Sequence, residues 1–373
     1  MIPVNEPLIG QREKELILEC LESEWISSEG PFVREFEEKF SKYIGKKYGI
    51  AVSSGTAALE IVMVALNLPS GSEVIMPAFT IISCAQAIVK ACLKPVLIDC
   101  DYRTFNMKPE EIEKKITKNT KAIMAVHTYG LPVDMDPIIN IAKKHNLILI
   151  EDAAEAIGQC YQGKLCGSFG DISIFSFYPN KHITTGEGGM ILTDDEELSE
   201  RCKSYRNLCF SPNPDKRFIH EELGWNYRMT NLQAALGLGQ LEKIDKHLNK
   251  KKWIGQKYNE LLGDLEDSCY LPIPRTEYAE NLYWVYTIVL KDKYPKNAQE
   301  VMKELHKKDV GTRPFFYPMH LQPVFRKMGM FKNEKYPNSE KLYERGFYIP
   351  SGLGITEEQI REVAKLLKEV LNG

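Results

Sequence analysis

The chain has no apolar run long enough to cross a bilayer. Its longest uncharged stretch, Val74 to Val89, contains Pro77, Thr80, Ser83 and Gln86. It also lacks a dominant charge: 48 Lys plus Arg face 51 Asp plus Glu, a net −3. That balance leaves no basic footprint for nucleic acid and no polybasic membrane patch. The first residues, MIPVNEPLIG, show no basic-then-apolar signal pattern. Clustered cysteine is missing as well. Nine Cys are scattered from Cys20 to Cys269 without a C-x-x-C pair, which argues against a metal site or a disulfide scaffold. Cys84, Cys92 and Cys100 sit in apolar runs and read as small buried hydrophobes. A soluble cytoplasmic protein without metal is the expectation.

What is present is ordinary globular material: 373 residues, 43% hydrophobic and 27% charged, enough for a large domain and a smaller one. From residue 48, short apolar runs alternate with helix-length segments. Strands are expected at Tyr48–Val52, Glu73–Met76, Pro95–Ile98, Ala122–Val126, Leu147–Glu151, Ile172–Phe177 and Gly189–Thr193. Helices are expected after SSGT through Ala65, then at Thr80–Ala91, Pro109–Ile116, Pro137–His145 and from Asp194. Such alternation predicts an α/β fold with a mostly parallel sheet covered on both faces. Thr230 can cap a long helix through Ala234, Leu241 and Ile244, with a basic later part in KHLNKKK. Beyond it, a strand at Tyr283–Leu290, a helix at Ala298–Lys307, an extended Val310–Phe316 and a closing helix at Glu357–Leu371 suggest a small α+β unit. The division is placed at 1–245 and 246–373, with residues 1–20 packing on the smaller part.

Three local features carry chemistry. In SSGTAAL (53 to 59) a strand ends in a Gly-containing turn that opens a helix, where free amides and hydroxyls can hold an anion. An ordinary capped turn would read the same way. In ILIEDAAEAIG (148 to 158) an apolar strand delivers Glu151 and Asp152 to its carboxyl end, where open α/β sheets place ligands. A buried acid there suits a protonated pyridine nitrogen, although a metal ligand or a helix cap would also fit. In FSFYPNKHITTGEGGM (175 to 190) Lys181 stands on a tight loop after an apolar strand, and Ser176 lies five residues before it. A desolvated amine in that position can lose its proton and attack an aldehyde. In this chain order, the anion turn, the acid and the lysine together specify pyridoxal phosphate far better than any one alone.

These segments, with PAFTIISCAQAI, WNYRMTNLQAALG and RPFFYPMH, resemble the DegT/StrS family of sugar aminotransferases along nearly the whole chain. The resemblance implies a fold-type I pyridoxal phosphate aminotransferase, with a large mixed, mostly parallel sheet domain and a smaller C-terminal α+β domain. It also implies a homodimer with shared active sites. By position, Lys181 is the Schiff-base lysine, Asp152 pairs with the pyridine nitrogen, and Glu155 contacts the ring hydroxyl. Gly55, Thr56 and Ser176 hold the phosphate, and Asn226 reaches it from the other subunit. Phe79, Arg313 and His320 fall near the substrate pocket. One position departs from the family: an aromatic commonly covers the ring just after Thr80, and here Ile81 stands there, so either Ile81 or a rotated Phe79 would cover it.

The activity so implied moves an amino group, with glutamate as donor, onto a keto sugar, a nucleotide-linked 4-keto-6-deoxyhexose, for surface polysaccharide. A small phosphorylated ketone is the rival acceptor. A sugar dehydratase on the same scaffold would carry His in place of the lysine; here Lys181 is kept and His182 follows it.

Overall fold

The computed structural model describes residues 1–372. Two helices, α1 (Gln11–Glu22) and α2 (Pro31–Ile44), precede the first strand, β1 (Tyr48–Val52). Then follow α3 (Gly55–Ala65), β2 (Glu73–Pro77), α4 (Ile82–Lys90), β3 (Lys94–Ile98), β4 (Thr120–Val126), α5 (Met135–His145) and β5 (Ile148–Asp152). A short hairpin, β6 (Cys160–Tyr161) and β7 (Lys164–Leu165), leads to β8 (Ile172–Ser176), β9 (Gly189–Thr193) and α6 (Glu196–Arg206). The sheet order is β1-β9-β8-β5-β4-β2-β3. Only β9 runs against the others: it pairs antiparallel with both β1 and β8, while β8, β5, β4, β2 and β3 are mutually parallel. The carboxyl ends of β1, β2, β5 and β8 therefore share one edge, which brings Ser54, Thr80, Asp152 and Ser176 together.

After α7 (Asn231–Leu241) and α8 (Ile244–Leu262), a second sheet forms in the order β10-β11-β13-β12. Its strands are β10 (Cys269–Tyr270), β11 (Tyr286–Leu290), β12 (Arg313–Pro314) and β13 (Gly346–Ile349). Helices α9 (Ala298–Lys307), α10 (Pro323–Lys327), α11 (Pro337–Arg345) and α12 (Glu357–Asn372) complete the chain. The amphipathic α12 buries Ile360, Val363, Leu367 and Leu371 against the core around Ile288 and Ile349. Among the described residues no helix is long and apolar enough to cross a membrane.

Several sequence expectations need correction. The helix expected at Pro109–Ile116 is two 3-10 turns, Pro109–Glu111 and Glu113–Lys115. Between them Ile112 is its one fully buried side chain, too little packing to hold a longer helix. Thr230 does cap a helix, its hydroxyl accepting from the Gln233 amide, but the expected long helix breaks at Lys243 into α7 and α8. The strand expected from Tyr283 starts at Tyr286, because Tyr283 adopts a left-handed φ of 53°. Of Val310–Phe316, Arg313 and Pro314 form the named strand. Cys92 is exposed on the left-handed turn after α4 rather than buried. The N-terminal segment divides in two. Ile2, Val4 and Glu6 bond to Gly311, Ser351 and Gly354 of the C-terminal part, whereas α1 lies on α7. Buried Glu13 joins the latter pair, accepting from Gln240 Nε2 at 2.7 Å and Lys243 Nζ at 2.8 Å.

Strand alternation separates the adjacent acids of β5. Glu151 faces away from the edge cluster and is fully buried. Its Oε1 accepts from His127 Nε2 at 2.9 Å and from the Gly167 amide at 2.5 Å; its Oε2 accepts from the amides of Phe169 and Gly170 at 2.8 and 2.9 Å. His127 Nδ1 accepts from the Val133 amide at 3.2 Å, so Nε2 carries the proton given to Glu151. Nearby Cys166 completes a group of metal-capable residues, but the lone pairs of Glu151 and His127 are already used within the protein.

Burial raises the Glu151 pKa, yet His127 and the loop amides outweigh it and hold the carboxyl below its ordinary 4.5. The stabilisation is complete above that ordinary value and is lost as pH falls through the lower folded-state value. Glu151→Gln, which turns an N–H against these donors, should cost about 2–4 kcal/mol in urea unfolding at pH 7. The cost should shrink in acid. Unchanged stability at pH 7 would refute this account.

Candidate active site

At the shared carboxyl edge lies a cavity of about 360 Å³, lined from the first sheet by Gly55, Thr56, Asp152, Glu155, Ser176 and Lys181. Its size is within the usual range for a small ligand. Each group is placed by local chain geometry. Ser54 caps α3, its Oγ accepting from the Ala57 amide at 3.0 Å, and so aims the positive end of the helix into the cavity. Gly55 is required by contact: a Cβ there would lie 2.8 Å from Ser176 Cβ. Thr56 Oγ1 and Ser83 Oγ, 2.9 Å apart, add hydroxyls beside the helix end. Small residues, helix amides and three hydroxyls in one corner make an anion cradle.

Opposite the cradle, Asp152 ends β5 almost wholly buried. Its Oδ1 accepts from the Ala154 amide at 3.0 Å, and its Oδ2 lies 3.3 Å from Cys84 Sγ. Among the described residues no cationic side chain pairs with it within 4.0 Å. Burial pushes its pKa up, and the Ala154 amide, Cys84 and Lys181 oppose that push.

Lys181 follows the Pro179–Asn180 turn, and its own amide donates to Tyr178 O at 2.9 Å. Its Nζ lies 3.8 Å from Glu155 Oε1 and 3.9 Å from the centre of the Trp284 ring. Burial drives the lysine pKa down and the Glu155 pKa up, so loss of water moves both toward their neutral forms. Glu155 is oriented by the Tyr129 amide, which donates to its Oε2 at 2.8 Å. Tyr129 offers that amide from a left-handed φ of 57°, a local strain held by aromatic packing against Phe315 and Phe316.

The remaining site expectations fall elsewhere. Phe79 is fully buried behind the cavity, edge-on to Tyr129 and beside Phe316, whereas Ile81 lines the cavity and stays partly exposed. Arg313 is exposed on β12, across from Tyr348 of β13, whose side of the strand reaches the cavity. His320 is buried away from the cavity, its Nε2 2.9 Å from Glu340 Oε1 and its ring against Tyr336. The Glu340 partner and the turn at Met319–Leu321 hold it there. Asn226 is exposed and does not line its own chain's cavity. Its loop is fixed beside the anion cradle, since the Ser53 amide donates to Tyr227 O at 2.8 Å. His182 turns from the cavity: Nδ1–H donates to Ile157 O at 2.7 Å, and burial lowers its pKa to about 3.

Sequence reasoning missed the second wall, formed by Trp284, Phe316 and Tyr348 of the C-terminal part together with Tyr178 and Asn180. Trp284 is locked from both sides. Its Nε1 donates to Asn180 O at 2.8 Å, and its carbonyl accepts from buried Lys251 Nζ at 2.8 Å. Tyr178, Asn180 and Phe316 lie in motifs that do not mark them as pocket wall, and no motif holds Trp284 or Tyr348; packing between distant segments brings Trp284, Phe316 and Tyr348 to the cavity.

The sequence matches the DegT/DnrJ/EryC1/StrS aminotransferase family over residues 7–368. The chain belongs to that family. It is 40% identical to the GDP-perosamine synthase of Caulobacter vibrioides over 370 residues, covering 99% of this chain and 98% of that protein. It is 39% identical to the GDP-perosamine synthase of Escherichia coli O157:H7, over 99% and 98% of the two chains. Among solved structures, the Helicobacter pylori aminotransferase PseC superposes with a TM-score of 0.93 at 25% identity, over 100% of this chain and 99% of that one. Spr1654 of Streptococcus pneumoniae, in its PLP form, superposes with a TM-score of 0.91 at 25% identity, over 100% and 98% of the two chains. The family and its fold make this chain a pyridoxal phosphate-dependent aminotransferase of fold-type I.

The contact between Gly55 and Ser176 gives a test that needs no ligand. Gly55→Val should lower stability by about 1–3 kcal/mol through overpacking. Adding Ser176→Gly should recover part of that loss in thermal or urea unfolding. Purely additive losses would show that the two residues do not meet.

Proposed function

We propose that this chain transfers an amino group from L-glutamate to a nucleotide-linked 4-keto-6-deoxyhexose in the cytoplasm, for surface polysaccharide. The sugar substrate is supported by full-length similarity to two proteins named GDP-perosamine synthase. The observation that carries the chemistry is Asp152: a buried carboxylate without an ion-pair partner among the described residues, in a cavity that also holds an anion cradle and a desolvated lysine. These residues fit pyridoxal phosphate. The α3 amides with Thr56 and Ser176 would take its phosphate, Asp152 its ring nitrogen, and Glu155 its ring hydroxyl. When bound, the cofactor supplies an aldehyde for the amine and an electron sink for the carbon losing its proton.

The protein does the positioning and the proton work. Asp152 keeps the ring end cationic by offering a fixed negative charge. Lys181 Nζ, poorly solvated and therefore readily neutral, removes a proton from one carbon and returns it to the next. The Trp284 ring, 3.9 Å from Nζ, covers the amine and keeps water from it. The exposed Asn226 loop is assigned to the phosphate of a second copy, in a homodimer with shared sites; this accounts for a polar residue left outside its own cavity. Residues 1–245 are assigned to the large domain and 246–373 to the small one, a division supported by the break between α7 and α8 at Lys243.

Protein loaded with pyridoxal phosphate should absorb in the visible and lose that band on adding glutamate. Once the 2-oxoglutarate released is removed, it should regain the band on adding a nucleotide-linked 4-keto-6-deoxyhexose, with aminated sugar detected by mass spectrometry. A band unchanged by glutamate would sink the donor half, and no product from any keto sugar would sink the acceptor. Lys181→Ala should lower turnover by at least about 10³-fold, the loss expected of a general acid–base that also anchors the cofactor. Retained turnover would remove Lys181 from this role.

A further inference from the structure

The first turn of α4 presents two neighbouring side chains to the two ends of the cavity. Ser83 meets Thr56 at the anion cradle, and Cys84 meets Asp152 at the acid end. Cys84 is fully buried, as a small core hydrophobe would be, but its surroundings are polar. Its Sγ lies 3.3 Å from Asp152 Oδ2 and 3.6 Å from Thr80 Oγ1, and Thr80 is itself nearly inaccessible. Burial, together with the charge of Asp152, pushes the thiol pKa well above its ordinary 9.0, so the sulfur keeps its proton. The directions follow: S–H donates to Oδ2, and the Thr80 hydroxyl can donate to the sulfur. Among the described residues Cys84 is the one side chain hydrogen-bonded to Asp152; the other donor, the Ala154 amide, holds Oδ1.

A donor on a buried carboxylate favours its ionised form against desolvation. It also fixes the plane of the carboxyl, since one oxygen is tied to the chain at Ala154 and the other to α4. We propose that Cys84 is a positioning residue for the reaction, a thiol that holds Asp152 ionised and oriented toward the cofactor's ring nitrogen, with Thr80 orienting the thiol. This rests on the reading that pyridoxal phosphate places that nitrogen at Asp152. The thiol touches neither cofactor nor substrate; it acts through the carboxylate.

Two substitutions separate a hydrogen-bonding role from simple filling of space. Cys84→Ser keeps a donor and Cys84→Ala loses it, while the two lose nearly the same volume. The probe is pyridoxamine 5′-phosphate labelled with ¹⁵N in the ring, added to cofactor-free protein, with affinity read by titration and ring protonation by ¹⁵N chemical shift. Wild type and Cys84→Ser should bind with the nitrogen protonated. Cys84→Ala should bind about tenfold more weakly, the effect of losing a hydrogen bond to a charged group, with its shift moved toward the unprotonated form. Circular dichroism of the free proteins checks that all three are folded. Equal shifts and affinities in all three, or a serine variant as impaired as the alanine variant, would overturn the proposal. An unprotonated nitrogen in wild type would instead overturn the placement of the ring at Asp152, and the inference with it.

Discussion

The site depends on a carboxylate that the fold buries without giving it a cation. Taking Asp152 out of water is costly, and the partial remedies are an amide, a thiol and the more distant Lys181. None of them neutralises it at close range. A protonated heterocycle would, and the cavity provides the room for one. The same loss of water that strains Asp152 also lowers the pKa of Lys181, so one desolvated pocket prepares both the acid proposed to hold the ring and the amine proposed to work on it.

This arrangement follows from sheet topology. Parallel β5 and β8, with β1 joined through β9, deliver the acid, the hydroxyl and the cradle to one edge, while the turn after β8 sends Lys181 back over it. The smaller sheet then closes the pocket. Lys251, buried in α8, bonds to both Trp284 O and Ser351 O at 2.8 and 2.5 Å, so the wall facing the lysine is fixed by its own main chain. The opposite face of β5 shows what a fully satisfied acid looks like. Glu151 has every lone pair engaged and organises the 167–170 loop, whereas its neighbour Asp152 is left short of a cation.

Much of the first sheet was legible in the sequence because buried parallel strands read as short apolar runs between helices, and the residues at their carboxyl ends carry distinctive types. Gly55, Thr56, Asp152, Glu155, Ser176 and Lys181 all lie in such motifs and all meet in one cavity. Where strength of local pattern was absent, the reading went astray. The turns around Ile112 looked helical by composition, and Tyr283 looked like strand despite its left-handed backbone. His320 lies near a motif, yet a local Glu340 partner and ring packing claim it. Trp284, Phe316 and Tyr348 were illegible for a different reason: their place opposite Lys181 is created by contacts far apart in the chain. Cys84 was legible only as a small buried residue, and its meaning lies in the carboxylate beside it.

The central claim is that Lys181, among the chain's lysines, is the amine that meets the cofactor. Protein saturated with pyridoxal phosphate, reduced with borohydride and digested, should carry the cofactor on a single peptide containing Lys181. A modified peptide from any other lysine, or a label spread among surface lysines with none on Lys181, would contradict it.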